Sequence, residues 1–358
     1  MKTAIVTFAD SVNYGAALQA AALSHAVTAL DEAPMFLTHH NETIAAGDRL
    51  FDLKSAKNPL YTAAHLVNFT AAKERQKRFA AFRNRFLRFS DEAPDSFDVV
   101  IAGSDQVWNY NLTGDDDFYY LDYKKAKSVK TAYAASFGLS AVDPAREARL
   151  AALLRDFDFV TVREETAAGI VETLTGSRPA VALDPTFLLT PADWAAKSAD
   201  TGKKNEDYIF VYTVFNSEPL WAFAEDLSRR TGLPIRTVSY SKLHRHNADY
   251  SFSAGPDEWV ELIANASYVV TNSFHGLAFS VNFNRPFFIA LPPESAGVGS
   301  RLRDLAKRYD LTDREIGVAD PAAIPDFAAV NEKLDRDRRE SLHLLAEILR
   351  TGKSEASK

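Results

Sequence analysis

The sequence predicts an α/β protein with two Rossmann-like domains that face a cleft. Its 358 residues are more than one compact core usually holds, which favours two domains. Short apolar runs alternate with amphipathic helical stretches, a pattern typical of βα units and parallel sheets. The alternation occurs twice, before and after residues 190–207, where Pro191 and a polar stretch suit a hinge. We therefore predict an N-terminal domain over residues 1–190, a C-terminal domain over 191–330, and a C-terminal helix and tail over 331–358.

The first domain is predicted from five strand candidates and two helices. Each strand candidate is a short run rich in apolar and β-branched residues. The strands are expected at residues 3–8, 99–102, 131–135, 157–162 and 180–183, and the helices at 16–30 and 73–89. The second helix is basic and aromatic, and its phenylalanines recur every three or four residues, at Phe79, Phe82, Phe86 and Phe89. This spacing indicates core packing more than a platform for a ligand.

The second domain repeats the alternation. Strands are expected at residues 208–214, 235–238, 268–271 and 287–291, and helices at 219–231, 259–264 and 277–283. Residues 331–349 form a charged amphipathic pattern that predicts the C-terminal helix.

The composition narrows the classes of function. Lys plus Arg number 41 and Asp plus Glu 48, so the net charge is −7, which argues against broad binding of nucleic acid. A few local basic groups can still bind a small anion. The absence of cysteine removes disulfides, thiolate nucleophiles and Cys-ligated zinc. No apolar run reaches the roughly 18 residues of a membrane span, and the first thirty residues lack a signal-peptide pattern, so a cytoplasmic protein is the simplest interpretation.

The first candidate site follows the first predicted strand. Open α/β sheets bind ligands at the carboxyl ends of their strands, where Asn13, Tyr14 and Gly15 lead into a helix that contains Gln19. Gly15 would let the backbone approach a ligand, and the helix start offers unpaired N–H groups to an anion. The alternative is a turn with a helix cap, a role that Asn and Ser also serve.

The second candidate site is the loop at residues 103–109. Ser104, Asp105 and Gln106 can form hydrogen bonds, and Trp108 could stack on the face of a sugar. The alternative is a capped loop that one tryptophan anchors. The three aspartates at 115–117 could bind a metal ion, but a solvated acidic loop is the favoured interpretation.

Two further strand ends carry polar residues. Ser136 follows the strand at 131–135 and is a weak signal by itself. Arg163 follows the strand at 157–162 and precedes Glu164 and Glu165. It could pair with either acid, or its planar guanidinium could bind a carboxylate or a phosphate through two hydrogen bonds. Taken alone, the ion pair is the better interpretation.

The last candidate is the segment Thr-Asn-Ser-Phe-His-Gly at 271–276, where a strand ends and a helix begins. His275 is therefore expected near a helix N-terminus. The helix dipole favours the neutral imidazole there, and a bound phosphate favours the protonated one, which suits proton transfer. Asn272, Ser273 and Gly276 flank the histidine and support a functional interpretation over a packed core histidine.

Known signatures of other enzyme classes are missing. The chain lacks the phosphate-binding loop of kinases and ATPases, the dinucleotide fingerprint and the nucleophile elbow of hydrolases. The candidate segments together resemble the ordered motif set of the polysaccharide pyruvyl transferases over about residues 5–305. They are Asn-Tyr-Gly-Ala-Ala-Leu-Gln at 13–19, Gly-Ser-Asp-Gln-Val-Trp-Asn at 103–109, Ser-Phe-Gly at 136–138, Val-Arg-Glu-Glu at 162–165, Leu-Asp-Pro-Thr at 183–186 and the segment at 271–276.

The resemblance implies a GT-B-like fold and phosphoenolpyruvate as the donor. It implies that Arg163 and His275 are the catalytic and donor-binding residues, and that Asn272, Ser273 and Gly276 of the C-terminal domain also bind the donor. Arg301 matches the position of a second cation in such proteins, although it could instead pair with Asp304 on its own helix.

The implied reaction moves an enolpyruvyl unit onto a sugar of a bacterial polysaccharide, or of its lipid-linked precursor, and forms a pyruvate ketal. His275 would be the general acid, or the base that takes a hydroxyl proton, while Arg163 and Arg301 hold the anionic groups. The N-terminal domain would line the acceptor side with Asn13, Tyr14, Gly15, Gln19, Ser104, Asp105, Gln106, Trp108 and Ser136.

Several alternatives stay open. A GT-B glycosyltransferase that uses a nucleotide sugar shares the architecture, and a non-catalytic homologue could act as a binding module. No cofactor is expected beyond the donor substrate, and the need for a divalent metal is undetermined. The basic, aromatic helix at 73–89 could bring the protein to the inner face of the cell membrane.

Overall fold

Two parallel sheets, each covered by helices, organise the chain. The structure is a computed structural model that describes residues 1–30, 33–48, 59–123, 128–197, 207–240, 246–292 and 299–356. Of the hinge predicted at 190–207, residues 191–197 form a helix instead, and residues 198–206 lie outside the described residues. Among the described residues, no helix is long and apolar enough to cross a membrane.

The first sheet has seven parallel strands in the described part of the chain. In chain order they are β1 (Thr3–Val6), β2 (Met35–Leu37), β3 (Phe89–Ser90), β4 (Val99–Ala102), β5 (Val129–Ala135), β6 (Phe159–Val162) and β7 (Ala180–Val181). Their spatial order is β3-β2-β1-β4-β5-β6-β7, the Rossmann order with one strand added. The associated helices are α1 (Tyr14–Leu30), α2 (Glu42–Asp48), α3 (Pro59–Phe86), α4 (Tyr110–Thr113), α5 (Glu147–Arg155) and α6 (Glu165–Thr175).

The second sheet repeats this topology with five described strands. They are β8 (Ile209–Tyr212), β9 (Ile235–Val238), β10 (Asp249–Ser251), β11 (Tyr268–Thr271) and β12 (Phe287–Ile289), in the order β10-β9-β8-β11-β12. The associated helices are α7 (Pro191–Lys197), α8 (Glu218–Thr231), α9 (Pro256–Ala264), α10 (Phe274–Asn282), α11 (Ser300–Arg308) and α12 (Phe327–Ala356). The chain is therefore a GT-B-like α/β protein, as predicted.

Burial explains why the central strands are continuous apolar runs. Helices cover both faces of a parallel sheet, so every residue of β1, β4 and β8 is buried. Helix α1 is rich in alanine and lies in the middle of the molecule, in contact with α3, α9 and α12. Small side chains allow this close packing of helices, so the helix that follows β1 is buried on nearly all sides.

The C-terminal helix α12 returns to the first sheet. The Oγ of Ser341 accepts a hydrogen bond from the backbone N–H of Leu183 at 2.9 Å, and Arg338 donates to the carbonyl of Phe187 at 2.7 Å. Asp337 on the same helix pairs with Arg308 of α11. Helix α12 therefore ties the two halves together. The boundary between the halves at residues 190 and 191 stays a prediction.

Helix α3 contributes a second set of contacts between the halves. Arg78 donates to both carboxylate oxygens of Glu258 on α9, and Arg75 donates to the carbonyl of Phe252 at 2.9 Å. Phe79 and Phe82 are buried in the core and Phe86 packs against it, which confirms the packing interpretation for these three, whereas Phe89 is exposed. Lys77, Arg85 and Phe89 remain exposed, so a membrane contact of this segment stays a prediction.

The predicted elements are found, with shifted ends. Helix α3 ends at Phe86, and Phe89 belongs to strand β3, so the expected extension of the helix to residue 89 was wrong. Strands β2, β3 and β10 were not predicted. Helix α10 begins at Phe274 rather than at residue 277, which places His275 within its first turn.

Candidate functional site

The loops that follow two pairs of strands line one cleft. Strand order reverses between β1 and β4 in the first sheet and between β8 and β11 in the second. Loops at such a switch point diverge and leave a crevice at the carboxyl ends, where open α/β sheets bind ligands. The cleft has a volume of about 680 Å³, and its walls include Asn13, Asp105, Thr213 and Ser273, one from each of the four loops.

His275 reaches across the cleft to the start of α1. A Cβ atom built on Gly15 would lie 2.0 Å from its Nδ1 atom and 2.5 Å from its Cε1 atom. Gly15 therefore makes room for the imidazole ring, which is a more specific role than the predicted approach of the backbone to a ligand. Ser273 caps α10, because its Oγ accepts a hydrogen bond from the N–H of Gly276.

Asp184 lies at the centre of the buried polar cluster behind the cleft. Its Oδ2 atom accepts hydrogen bonds from Arg163 Nη1 at 2.9 Å and from Ser104 Oγ at 3.0 Å, and lies 3.6 Å from His275 Nε2. Its Oδ1 atom accepts from the N–H and hydroxyl of Thr186. Burial alone would raise the pKa of Asp184, but the charges of His275 and Arg163 and these hydrogen bonds hold it well below its usual range.

Arg163 is paired with acids, as its sequence context suggested, but its main partner is Asp184. It also lies 3.7 Å from Asp105 and 3.5 Å from Glu164, whereas Glu165 pairs with Arg178. The Oε1 atom of Glu164 accepts a hydrogen bond of 2.6 Å from Ser136. Burial raises the pKa of Glu164 despite this hydrogen bond and the nearby guanidinium.

Arg301 completes the cluster from the first turn of α11. Asp304 does not pair with it, because the carboxylate of Asp304 accepts hydrogen bonds from the N–H and hydroxyl of Thr166 at the start of α6. Among the described residues we find no ion pair for Arg301. Burial and the neighbouring charge of Arg163 lower the pKa of Arg301 to about 10. The two guanidinium groups lie 4.2 Å and 5.9 Å from the ring centre of Phe274, so both are beside the same ring.

Three side chains of this cluster have buried nitrogen atoms without a partner. They are the Nη2–H of Arg163 and the Nε–H of Arg301, together with the ring atom Nε2 of His275, whose proton depends on the tautomer; the hydroxyl of Ser300 beside Arg301 is also unpartnered. Native proteins satisfy most buried polar groups, so a concentration of unsatisfied donors indicates a site that a ligand completes. The N-termini of α1, α10 and α11 meet at the same cleft and favour an anion.

The structure places five of the remaining predicted residues in the cleft wall: Asn13, Asp105, Gln106, Asn272 and Ser273. Asn13 also caps α1, because its Oδ1 atom accepts from the N–H of Ala16 at 3.1 Å. Asp105 adopts a left-handed backbone with φ of 76°, a conformation that concentrates at functional sites. Asn272 holds the loop after β8 through hydrogen bonds with Val214 and Phe215.

Other predicted acceptor residues are buried away from the cleft. Trp108 is fully buried, donates from Nε1 to the carbonyl of Tyr119 at 3.2 Å and stacks on Tyr120, so it offers no face to a sugar. Tyr14 donates to the carbonyl of Ala254. These residues serve the packing of the protein, and we leave them out of the acceptor site.

Gln19, Ser104 and Ser136 are also buried with internal partners. Gln19 donates to the hydroxyl of Thr7, and the two serines orient the acids of the cluster. A Cβ atom on Gly276 would lie 2.3 Å from Thr271 Oγ1, so this glycine serves the close packing of strand and helix. Gln19 and Gly276 therefore support the site without lining it, as do the two serines.

The three aspartates at 115–117 have separate partners. Asp115 pairs with Arg146, Asp116 with His39 and Asp117 with Arg149. In the described part of the chain, no group of three His, Cys, Asp or Glu side chains is arranged to hold a metal ion.

The sequence analysis gave no role in the site to three of its residues, Asp184, Phe274 and Ser300, although the first two stand in the motifs at 183–186 and 271–276. Asp184 had the same signal as Arg163, a polar residue directly after a predicted strand. Phe274 stands between two predicted site residues, Ser273 and His275. Ser300 carried no signal beyond its position before Arg301.

The fold and the cluster define an α/β protein with a cleft between two Rossmann-like halves and a buried cluster of cationic side chains behind it. The family profile described as polysaccharide pyruvyl transferase matches residues 13–293. This match covers well over half of the chain, so the protein belongs to the polysaccharide pyruvyl transferase family and is a transferase. Among curated proteins, the comparison finds no significant match.

Several solved structures align with this chain over most of its length, at low sequence identity. The UDP-GlcNAc 2-epimerase from Methanocaldococcus jannaschii is 12% identical, with a TM-score of 0.48 and coverage of 94% of this chain and 92% of that one. The S. aureus MnaA–UDP co-structure is 13% identical, with a TM-score of 0.46 and coverage of 92% and 94%. E. coli heptosyltransferase WaaC with ADP-2-deoxy-2-fluoro heptose is 14% identical, with a TM-score of 0.37 and coverage of 82% and 89%. Similarity at this level carries no argument about the substrate.

Proposed function

We propose that this enzyme transfers the pyruvyl unit of phosphoenolpyruvate to a saccharide and closes it into a ketal. The observation that carries the proposal is the set of unpartnered nitrogen atoms on Arg163, Arg301 and His275 around Phe274. Buried donors without acceptors are costly, and an anion with several oxygen atoms would satisfy them together.

The charges of the donor match this cluster. Phosphoenolpyruvate carries a carboxylate and a phosphate, which two guanidinium groups and the helix N-termini can bind. Burial and the charge of Arg163 lower the pKa of Arg301 to about 10, so an anion bound beside Arg301 would relieve this repulsion. Asp184 keeps Arg163 in place and stays ionised at neutral pH, because its pKa is held well below the usual range.

The reaction needs a proton at the methylene carbon of the donor and a stabilised carbocation at C2. In our proposal, His275 delivers the proton from Nε2, the ring nitrogen that has no hydrogen-bond partner and lies 3.6 Å from Asp184. A sugar hydroxyl adds to C2 and loses its proton, the C2–O bond to phosphate breaks, and inorganic phosphate leaves. A second hydroxyl then adds to C2, loses its proton and closes the ketal ring. Arg163 and Arg301 would stabilise the departing phosphate.

Thermal unfolding in the presence of phosphoenolpyruvate tests the donor. We expect the wild type to be stabilised, and the shift in Tm to be lost in Arg301→Gln and His275→Ala. Arg301 is the better arginine to replace, because it has no ion pair among the described residues whose loss would unfold the protein. Arg229→Gln, an exposed change on α8, is the control and should keep the full shift.

Products and alternative donors complete the test. Incubation with phosphoenolpyruvate and a saccharide panel should release inorganic phosphate and add a pyruvyl group that mass spectrometry detects on the sugar. A Tm shift with UDP- or GDP-sugars and none with phosphoenolpyruvate would instead support a nucleotide-sugar glycosyltransferase. Binding of phosphoenolpyruvate without any turnover would support a non-catalytic homologue.

A further inference from the structure

One end of the cleft exposes apolar side chains. Val214 is 55% exposed and Phe215 is 44% exposed on the wall that follows β8, and Leu112 is 41% exposed on the wall from the first half. None of the three belongs to the hydrophobic clusters of the protein core. Exposed apolar groups that line a cleft together mark a surface that a ligand covers.

The position of Phe215 is set by the backbone and is continuous with the donor site. Asn272 accepts from the N–H of Val214 and donates to the carbonyl of Phe215, both at 2.9 Å. Asn272 directly precedes Ser273, the cap of the helix that carries His275. The same buried amide therefore fixes the loop with Phe215 and borders the donor cluster, so a molecule lying on Phe215 can reach the reacting groups.

The chemistry of this end suits an uncharged ring. Of the described residues that line the cleft, the charged ones are Asp105, His275 and Arg301, and all three belong to the donor cluster. The apolar end has polar but uncharged neighbours, such as Asn111 and Thr213. Ligand sites of this kind combine apolar contact area with a few hydrogen-bonding groups, and a pyranose ring offers both a C–H face and hydroxyl groups.

We propose that Phe215 is the platform on which a sugar ring of the acceptor stacks. This inference rests on the proposed function, and the family membership supplies the class of occupant, a saccharide. Other aromatic rings fit the role less well: Trp108 is buried, and Tyr240 has Arg75 over its ring and donates its hydroxyl to the carbonyl of Val12. We find no aromatic partner for Phe215 among the described residues.

Direct binding tests the platform without the reaction. All four tryptophans of the chain are buried, so the Phe215→Trp variant adds an exposed fluorophore at the site. The probes are the methyl glycosides of glucose, galactose, mannose and N-acetylglucosamine, their disaccharides, and octyl glucoside. We expect the emission of the variant to shift to shorter wavelength with at least one of the methyl glycosides or disaccharides.

Two results of this titration would overturn the proposal. One is an unchanged emission with every saccharide in the panel. The other is a response that depends on the octyl chain and not on the sugar, which would assign the apolar end to a lipid chain.

Kinetics give the second test. Phe215→Ala should raise the KM for the saccharide about three- to tenfold, the range expected for one stacking contact, and leave the affinity for phosphoenolpyruvate unchanged. The Phe215→Trp variant should restore the KM, because it keeps an aromatic face. Phe69→Ala is the matched control, since Phe69 is 42% exposed and does not line the cleft.

The outcomes separate the two proposals. An unchanged KM in Phe215→Ala would overturn the stacking platform while leaving the donor intact. Absence of any Tm shift with phosphoenolpyruvate would overturn the donor, and the fluorescence titration would still decide whether a saccharide lies on residue 215.

Discussion

Replacement of Gly15 by alanine tests whether the ring of His275 is held against the start of α1. The new Cβ atom would lie 2.0 Å from Nδ1 of this ring. This clash can be relieved only if the ring or the helix moves. Overpacking of this kind costs about 1–3 kcal/mol, and the change from glycine to alanine within a helix returns about 0.5–1 kcal/mol. We expect a net loss of up to about 2.5 kcal/mol in the free energy of unfolding, together with the loss of the Tm shift that phosphoenolpyruvate produces.

A double-mutant cycle identifies the cause of this loss. In the His275→Ala background the clash is absent, so Gly15→Ala should become neutral or stabilising, with a coupling of about 1–3 kcal/mol in urea unfolding. Gly169→Ala is the control, because no heavy atom lies within 4 Å of the Cβ position at that helical glycine. If Gly15→Ala destabilises both backgrounds equally, contact with the histidine ring is not the reason for the glycine. Normal turnover of the single variant would equally refute the reasoning.

Three further changes separate the roles of the buried polar groups. Asp184→Asn should lower the free energy of unfolding by about 3–5 kcal/mol, since it leaves Arg163 without its main partner. The control is Asp310→Asn, which removes an acid from an exposed ion pair and should change this free energy little. Urea unfolding measures both variants. Glu164 has a raised native pKa, so the native state binds more protons than the unfolded chain above about pH 4.3, and stability should fall as pH rises from there through the native pKa. As pH rises, the unfolding free energy of the wild type should therefore decrease relative to that of Glu164→Gln. A difference between the two that does not depend on pH would contradict this assignment. Trp108→Phe should cost about 1–3 kcal/mol and leave the affinity for phosphoenolpyruvate and saccharides unchanged, as calorimetry can show.

The fold was predictable because its central strands are buried on both faces. Such strands appear as continuous apolar runs, and the run predicted at 99–102 agrees residue for residue with β4. The strands predicted at 235–238 and 268–271 also match β9 and β11, although β9 includes Arg236 and Thr237. Strand β2 is apolar but only three residues long, and the edge strands β3 and β10 are two and three residues long and include polar residues, so all three are too short to give such a signal. The phenylalanine spacing that extended α3 to residue 89 continues across the helix end by chance.

The site was predictable only as far as strand ends are visible in the sequence. Arg163 and His275 each follow a strand, and the structure brings both to Asp184. The sequence Asp-Pro-Thr at 184–186 also predicts a turn, and Asp184 does accept from the N–H of Thr186, so its second role was hidden by its first. Whether an aromatic ring faces a cleft or the core depends on distant residues, which is why Trp108 and not Phe215 was chosen from the sequence.

Asp184 links the chemistry of the site to the arrangement of the two halves. Its Oδ2 atom lies beside Arg163 and Ser104 from the first half and His275 from the second. The three groups can share one oxygen atom only while the sheets keep their present spacing. Asp304 of α11 also joins the two halves, because its carboxylate accepts a hydrogen bond from Thr166 at the start of α6. This contact fixes the position of the helix that carries Arg301. In our proposal the donor site is therefore a property of the assembled molecule, since Arg163 comes from the first half and Arg301 and His275 from the second.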